Sequence, residues 1–156
     1  MSDRNSRHKK SNNMNIPQPQ CAYPSALDIQ TRFNDFDAFG HINNNAYMQY
    51  YDLGKEHFFN VLMDGMYSPR ELSAVIVNIN VQFFEPTLPH QPLRVLTGCC
   101  SVGDRSIHLD QRIVDPATGH VKTTATTILA GFDLDTQSSG PIRPQLRAAL
   151  LASIHP

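Results

Sequence analysis

The chain has 156 residues, which is room for one domain and not comfortably for two. Apolar residues make up 40% and charged residues 17%, a composition typical of a globular protein. The net charge of -1 at pH 7 provides no field that would attract a polyanion, so we expect no nucleic-acid partner.

The first 24 residues are rich in Ser, Asn, Gln, Pro and basic residues and have almost no apolar periodicity. Such a segment buries too little apolar surface to order itself, so we predict a disordered tail over 1–24 and a single domain over 25–156. The tail has no apolar core of a secretory signal, and no later window approaches the roughly 20 apolar residues of a membrane span. We therefore expect a cytoplasmic protein without a membrane partner.

Alternation and helical periodicity predict the first two elements. Residues 25–33 alternate as a two-faced strand, and a helical period begins at about Asn43. The apolar face of this long helix consists of Tyr47, Tyr50, Tyr51, Gly54, Phe58 and Leu62. A glycine within a helix costs about 1 kcal/mol relative to alanine, so Gly54 indicates close approach of the sheet or of another subunit.

Strand patterns dominate after the Asp64-Gly65 break. We predict strands over 75–84, 93–102, 106–114 and 120–132, with turn sequences typical of hairpins between the last three, and a short helix over 144–152. One strand, a long helix and four antiparallel strands form an α+β fold in which a five-stranded antiparallel sheet wraps around one helix. The exposed edges and half-covered face of such a sheet predict a homodimer or a homotetramer.

The segment from Arg32 to Asn45 connects the first strand to the long helix and contains the candidate chemistry. Asp35 and Asp37 precede Gly40 and a run of asparagines that begins at Asn43. Carboxylates here lie beside the free N–H groups of a helix start, where a polarised carbonyl oxygen would bind. The alternative interpretation is that the same residues only cap the helix and complete a turn.

Other catalytic and metal-binding patterns are missing from the sequence. None of the seven histidines forms a His-x-x-x-His pair, and His41 lies 16 residues from His57. Three cysteines, Cys21, Cys99 and Cys100, are an odd number, and adjacent cysteines point to opposite faces of a strand. We therefore predict neither a metal site nor a disulfide framework. A Gly-x-Ser-x-Gly nucleophile elbow is also missing.

The chain resembles the hotdog-fold acyl-CoA thioesterases of the 4-hydroxybenzoyl-CoA thioesterase type. That family has the pattern Asp-x-Asp-x-x-Gly-His-x-Asn-Asn-x-x-Tyr, and the matching positions here are Asp35, Asp37, Gly40, His41, Asn43, Asn44 and Tyr47. The resemblance covers roughly residues 25–152 and includes a helix acid and base, here Asp52 and Lys55.

The resemblance implies hydrolysis of an acyl-CoA thioester to a free acid and coenzyme A. Asp37 would be the catalytic carboxylate, either as nucleophile or as general base for water, and the backbone N–H of Asn44 would polarise the thioester oxygen. The residues implied in substrate binding are Gly40, His41, Asn43, Tyr47 and Asp52. No separate cofactor is implied, because coenzyme A is part of the substrate.

Two other functions remain open at this stage. A thioesterase acting on acyl groups carried by acyl carrier protein would use the same carboxylate and differ around the pocket mouth. A non-catalytic hotdog protein would bind acyl-CoA or another apolar ligand without turnover. Asp37 lies between Phe36 and Phe39, and a carboxylate among apolar side chains usually serves a function, which favours catalysis.

Overall fold

The computed structural model describes residues 15–154. The strands are β1 (Ser25–Ile29), β2 (Ala74–Phe83), β3 (Leu93–Val102), β4 (Ser106–Val114), β5 (Val121–Asp133) and the two-residue β6 (Ser138–Ser139). The helices are α1 (Asn44–Leu62), α2 (Pro69–Leu72) and α3 (Pro144–Ser153), and a 3-10 turn covers Phe33–Asp35. None of the described helices is long and apolar enough to cross a membrane.

The strands form one antiparallel sheet in the order β1-β3-β4-β5-β2, with β6 paired to the end of β5. One face of this sheet packs on α1, and the predicted α+β fold, with a sheet around one long helix, is confirmed. The hairpin turns lie where the sequence predicts them: Gly103 donates its N–H to the carbonyl of Ser106, and Asp115 donates to that of His120, both at 2.9 Å. The helix over 144–152 is confirmed as α3. The short α2 was not predicted.

Helix α1 lies in the concave face of the sheet, and both its start and its buried apolar face are clearly defined. The side chain of Asn43 accepts the N–H of Ala46 at 2.9 Å and so caps the helix. The predicted apolar face is buried at Tyr47, Tyr50, Tyr51, Gly54 and Phe58. A Cβ on Gly54 would lie 2.5 Å from Cγ1 of Val95 on β3, so the close neighbour of this glycine is the sheet.

The core consists of two clusters of buried side chains along α1. Around the first half of the helix the cluster is Ile42, Ala46, Tyr47, Tyr50, Tyr51, Leu93, Val95, Ile113 and Ala125. Around the second half it is Phe58, Phe59, Leu72, Cys99, Ile107, Leu109, Leu129, Ile142, Leu146 and Leu150. The helix is thus held along its whole length, which fixes the position of its first turn relative to the sheet.

Strand β1 is shorter than predicted, and strand β2 is unusually exposed. Strand β1 ends at Ile29 rather than Phe33, because the chain turns at Arg32 to bring its N–H and guanidinium onto the carboxylate of Asp35. Strand β2 does not bury one apolar face: Val77 is 59% exposed and Ile76 44% exposed. It pairs with β5 along one edge, and among the described residues nothing pairs with its other edge.

Residues 15–24 lie against the outer face of the sheet and are called here the N-terminal segment. The Tyr23 hydroxyl and the Gln20 N–H donate to Oδ2 of Asp110 at 2.8 and 3.0 Å, and Nε of Arg112 donates to the Tyr23 hydroxyl at 2.7 Å. The prediction of a disordered tail up to residue 24 differs from the structure here, because buried polar groups on β4 supply partners that composition does not reveal. Residues 1–14 and 155–156 lie outside the described residues.

Candidate functional site

The loop before α1 presents Asp37 to solvent. Its Oδ1 accepts the backbone N–H groups of Phe39 at 2.9 Å and His41 at 3.2 Å, an Asx-type turn that fixes the carboxylate. Gly40 has a positive φ of 72°, which a glycine adopts without strain, and its N–H donates to the Asp37 carbonyl at 3.0 Å. Within the described part of the chain Oδ2 of Asp37 has no hydrogen-bond donor, so this oxygen is available to a substrate or a water.

The first turn of α1 supplies a free donor beside that carboxylate. The N–H groups of Ala46 and Tyr47 bond to the Asn43 carbonyl, whereas that of Asn44, the first helical residue, has no acceptor among the described residues. N–H groups at the start of a helix carry the positive end of its dipole and favour developing negative charge. A carbonyl oxygen at this point would be polarised.

Asp37 and Asn44 both line a cavity of about 390 Å³, called here the Asp37 cavity. It is lined by Asp37, His41, Ile42, Asn44, Tyr47, Phe83, Phe84, Glu85 and Pro86. Four of the predicted site residues, Asp37, His41, Asn44 and Tyr47, are therefore brought together. The hydroxyl of Tyr47 points away to donate to Oγ1 of Thr87 at 2.8 Å, and burial raises the pKa of this phenol.

Asp35, the first acid of the motif, occupies the opposite environment. Its side chain is 3% exposed and accepts hydrogen bonds from the Arg32 N–H at 2.8 Å, the Arg32 guanidinium at 2.9 Å and the Tyr50 hydroxyl. Burial opposes ionisation, but the bonds from Tyr50 and Arg32 outweigh it, so the pKa of Asp35 lies below its ordinary value. Burial and the adjacent carboxylate raise the pKa of Tyr50. Asp35 thus holds the loop against α1.

Asn43 and Asp52 lie outside the cavity. Both polar atoms of the Asn43 side chain are hydrogen-bonded within the protein. Its Oδ1 accepts the N–H of Ala46, and its Nδ2 donates to the Asp35 carbonyl at 3.0 Å. Asp52 is two turns farther along α1 and lines a second cavity of about 360 Å³. There its Oδ1 lies 3.0 Å from Nζ of Lys55, a buried ammonium that makes no well-aligned hydrogen bond in the described structure.

The far wall of the Asp37 cavity was not predicted from the sequence. Phe83, Phe84 and Glu85 come from the end of β2, far along the chain from the motif. Glu85 accepts from the ammonium of Lys122 at 3.0 Å, which orients the end of this wall. The one local signal was that the Phe83-Phe84-Glu85-Pro86 sequence ends a strand with two aromatic residues and an acid.

An antiparallel sheet curled around a central helix, with an acidic loop at the start of that helix, defines a hotdog-fold protein. The sequence matches the profile of the thioesterase-like superfamily over residues 31–150, and the chain belongs to that family. The resemblance to thioesterases stated from the motif is thereby confirmed, and thioester hydrolysis is the class of chemistry that the family supports. A search of curated proteins found no match.

Solved structures share this fold. A predicted thioesterase from Bacillus stearothermophilus aligns with a TM-score of 0.75 at 23% identity, over 84% of this chain and 96% of the other. A thioesterase from Thermus thermophilus, complexed with coenzyme A and zinc, gives 0.72 at 21% identity, over 83% and 93%. A 1,4-dihydroxy-2-naphthoyl-CoA thioesterase from Synechocystis gives 0.73 at 17% identity, over 85% and 98%.

Proposed function

We propose that this protein hydrolyses an acyl-CoA thioester to a free acid and coenzyme A, without a separate cofactor. One observation carries the proposal: Asp37, whose Oδ2 has no donor, and Asn44, whose N–H has no acceptor among the described residues, line one cavity beside the start of α1. An acid and an oxyanion donor are the two groups that acyl transfer needs. The coenzyme A bound to the Thermus thermophilus thioesterase supports a CoA substrate.

The chemistry follows from these two groups. The thioester oxygen accepts the N–H of Asn44, which stabilises the negative charge that develops on it. Asp37 acts in one of two ways: it attacks the carbonyl carbon to form an anhydride that water then cleaves, or it removes a proton from the water that attacks. By either route the C–S bond breaks, coenzyme A leaves as the thiol after taking up a proton, and one water is consumed.

The remaining motif residues shape the site. Gly40 and the backbone of His41 hold the carboxylate in its turn, Asn43 fixes the start of the helix, and Tyr47 lines the cavity. We therefore propose that Tyr47 contacts the substrate, and that Gly40, His41 and Asn43 support substrate binding by holding the loop and the helix start in place. Removing one oxyanion donor costs about 3 kcal/mol of transition-state stabilisation in hydrolases, so the loop geometry is expected to affect kcat strongly.

Asp52 joins the site in the homodimer that we propose. The free edge of β2 suits antiparallel pairing with a second copy. A two-fold axis would place the start of one β2 opposite the end of the other. Ala74 and Ile76 line the Asp52 cavity and Phe83 lines the Asp37 cavity, so pairing would bring the Asp52 cavity of one copy beside the Asp37 cavity of the other.

The test is thiol release from aliphatic, aryl and hydroxy-aryl acyl-CoAs by the wild type and Asp37→Asn. We expect the wild type to turn over at least one of these substrates and Asp37→Asn to lose at least about a hundredfold in kcat, because the amide neither attacks nor takes a proton efficiently. Circular dichroism should remain unchanged, since Asp37 is exposed.

Asp133→Asn is the matched control. Asp133 also accepts two backbone N–H groups in an exposed turn, from Asp135 at 2.8 Å and Thr136 at 3.1 Å, and it lies outside the Asp37 cavity. Its variant should keep wild-type rates. Near wild-type turnover by Asp37→Asn would remove Asp37 from the mechanism. Turnover only of acyl groups on carrier protein, or binding of acyl-CoA without turnover, would favour the two alternative functions.

A further inference from the structure

A cluster of two thiols and a carboxylate lies on the outer face of the sheet. Sγ of Cys21, Sγ of Cys100 and the carboxylate of Asp110 lie within 4.8 Å of one another, and the two sulfur atoms are 2.9 Å apart. Asp110 is 4% exposed, whereas both cysteines are partly exposed. The cluster is on the side of the sheet away from α1, since the neighbouring Gln111 points inward to the carbonyl of Tyr51.

Two local features of the structure bring these residues together. The N-terminal segment crosses β3 at Gly98, where a Cβ would lie 2.0 Å from the carbonyl oxygen of Ala22, so only a glycine permits this approach. Cys100 is the extra residue of a β-bulge, because the pairing with β4 passes from Cys99 directly to Ser101. Bulges redirect a side chain and are frequent beside functional sites. Neither Gly98 nor Cys100 lines the Asp37 cavity.

Two thiolates and a carboxylate are a suitable ligand set for zinc. Zn²⁺ binds sulfur at about 2.3 Å in tetrahedral geometry, which places two ligating sulfurs about 3.8 Å apart. A side-chain movement of under about 1 Å would bring the two sulfur atoms from 2.9 Å to that separation. Oδ2 of Asp110 accepts from Gln20 and Tyr23, which orients the carboxylate as outer hydrogen bonds orient metal ligands and leaves Oδ1 to bind.

We propose that Cys21, Cys100 and Asp110 form a zinc site, with water as fourth ligand, that fastens the N-terminal segment to the sheet. The spacing of the cysteines predicted no metal site, because the two ligating cysteines are 79 residues apart and only the fold brings them together. The buried carboxylate of Asp110 beside the two sulfur atoms favours a bound cation, because it ligates Zn²⁺ and balances its charge.

Cobalt provides the first test, since Co²⁺ reports its ligands by absorption. The full chain, reduced with a phosphine and freed of metal by a chelator, is titrated with Co²⁺ without oxygen. We expect one Co²⁺ per chain, a thiolate-to-cobalt charge-transfer band, tetrahedral visible bands and displacement of all of them by Zn²⁺. Cys21→Ser and Cys100→Ser should each lose most of the charge-transfer intensity, and Asp110→Asn should weaken binding at least about tenfold.

Cys99→Ser is the matched control, because Cys99 is adjacent to Cys100 but 1% exposed in the core on the opposite face. It should keep the cobalt spectrum. Zinc should also raise the Tm of the wild type and of Cys99→Ser but not that of Cys21→Ser. Cys21 lies in the peripheral N-terminal segment, so its variant is expected to fold, which circular dichroism checks.

Three results would overturn the proposal. The first is no thiolate band although all three thiols are titratable. The second is equal binding by every variant. The third is spontaneous loss of two thiols with a mass decrease of two hydrogens in the metal-free protein, which would identify a Cys21–Cys100 disulfide instead. None of these readouts depends on thioester turnover, so the zinc site and the proposed hydrolase activity succeed or fail separately.

Discussion

Asp35 and Asp37 are the same residue type two positions apart, and their surroundings give them different tasks. Asp35 is buried and receives hydrogen bonds from Arg32 and Tyr50. Asp37 is exposed and keeps one oxygen unpaired among the described residues. A carboxylate whose oxygens are fully used by the protein has little left to offer a substrate, so the structural role falls to the first acid and the proposed catalytic role to the second.

The lowered pKa of Asp35 makes stability depend on pH. Ionised Asp35 stabilises the fold at pH values above the ordinary aspartate pKa of about 3.9, and this contribution is lost as pH falls through the lowered pKa of the folded state. We expect Asp35→Asn to lower the free energy of unfolding by about 2 kcal/mol at pH 7, through loss of charge-assisted hydrogen bonds. The difference between wild type and variant should shrink in acid.

Urea unfolding from pH 7 down to the acid limit measures this effect. Asp28→Asn is the control, because Asp28 forms an exposed pair with Arg94 at 2.6 Å that water screens. That variant should change stability little. Parallel pH profiles for the wild type and Asp35→Asn would show that the carboxylate has no such role.

At the scale of one element, α1 depends on Gly54 for its distance from the sheet. A Cβ at this position would meet Val95 at 2.5 Å and Oγ1 of Thr97 at 3.1 Å, both on β3. Alanine would gain about 1 kcal/mol in helix propensity but would overpack this contact. We expect Gly54→Ala to lower the free energy of unfolding by about 2 kcal/mol net.

Denaturant unfolding of Gly54→Ala beside Asn60→Ala tests the packing explanation. Asn60 lies on the exposed face of the same helix, so alanine there gains propensity without a clash and should stabilise slightly. If both variants gained stability, the approach of α1 to β3 would not be tight.

The features of these elements that the sequence predicts are the ones that depend on residues close together in the chain. The face of α1 follows from a period of 3.6 residues, its start from the Asn43 cap, and the two hairpins from Gly103 and from the Asp115–Gly119 turn. The motif likewise predicts that Asp37 and Asn44 meet, because they flank one helix start. Contacts between distant segments have no local sequence signal: the Phe83 wall, the bonds of the N-terminal segment to Asp110 and the approach of Ala22 to Gly98 arise only when the sheet has formed.

For the whole molecule, the large exposed apolar residues of the described sheet all lie on β2. Its second edge is unpaired in the described structure, and the apolar side chains of Val75, Ile76, Val77 and Phe83 are exposed by 36 to 59%. An apolar strand with a free edge is a strong site for pairing with a second copy. This edge supports the homodimer, or a homotetramer built from it.

Sedimentation velocity at micromolar concentration tests the assembly. The wild type should sediment as a dimer or larger species, and Val77→Lys should shift it towards monomer, because a lysine at the centre of the pairing strand places charge at the interface. Val61→Lys is the control: Val61 is 61% exposed on α1 and away from β2. Monomeric wild type would contradict pairing through β2, and equal effects of the two lysines would locate the interface elsewhere.

Strand β2 supplies both the unpaired edge and the aromatic wall of the Asp37 cavity. If two copies pair through this edge as proposed, then both dimer formation and thioester turnover depend on β2. A monomer would have a cavity open on the Phe83 side and would lack the Asp52 cavity of a second copy beside it. The rate per chain would then depend on protein concentration. It would be constant at high concentration and would fall on dilution through the dissociation constant of the dimer.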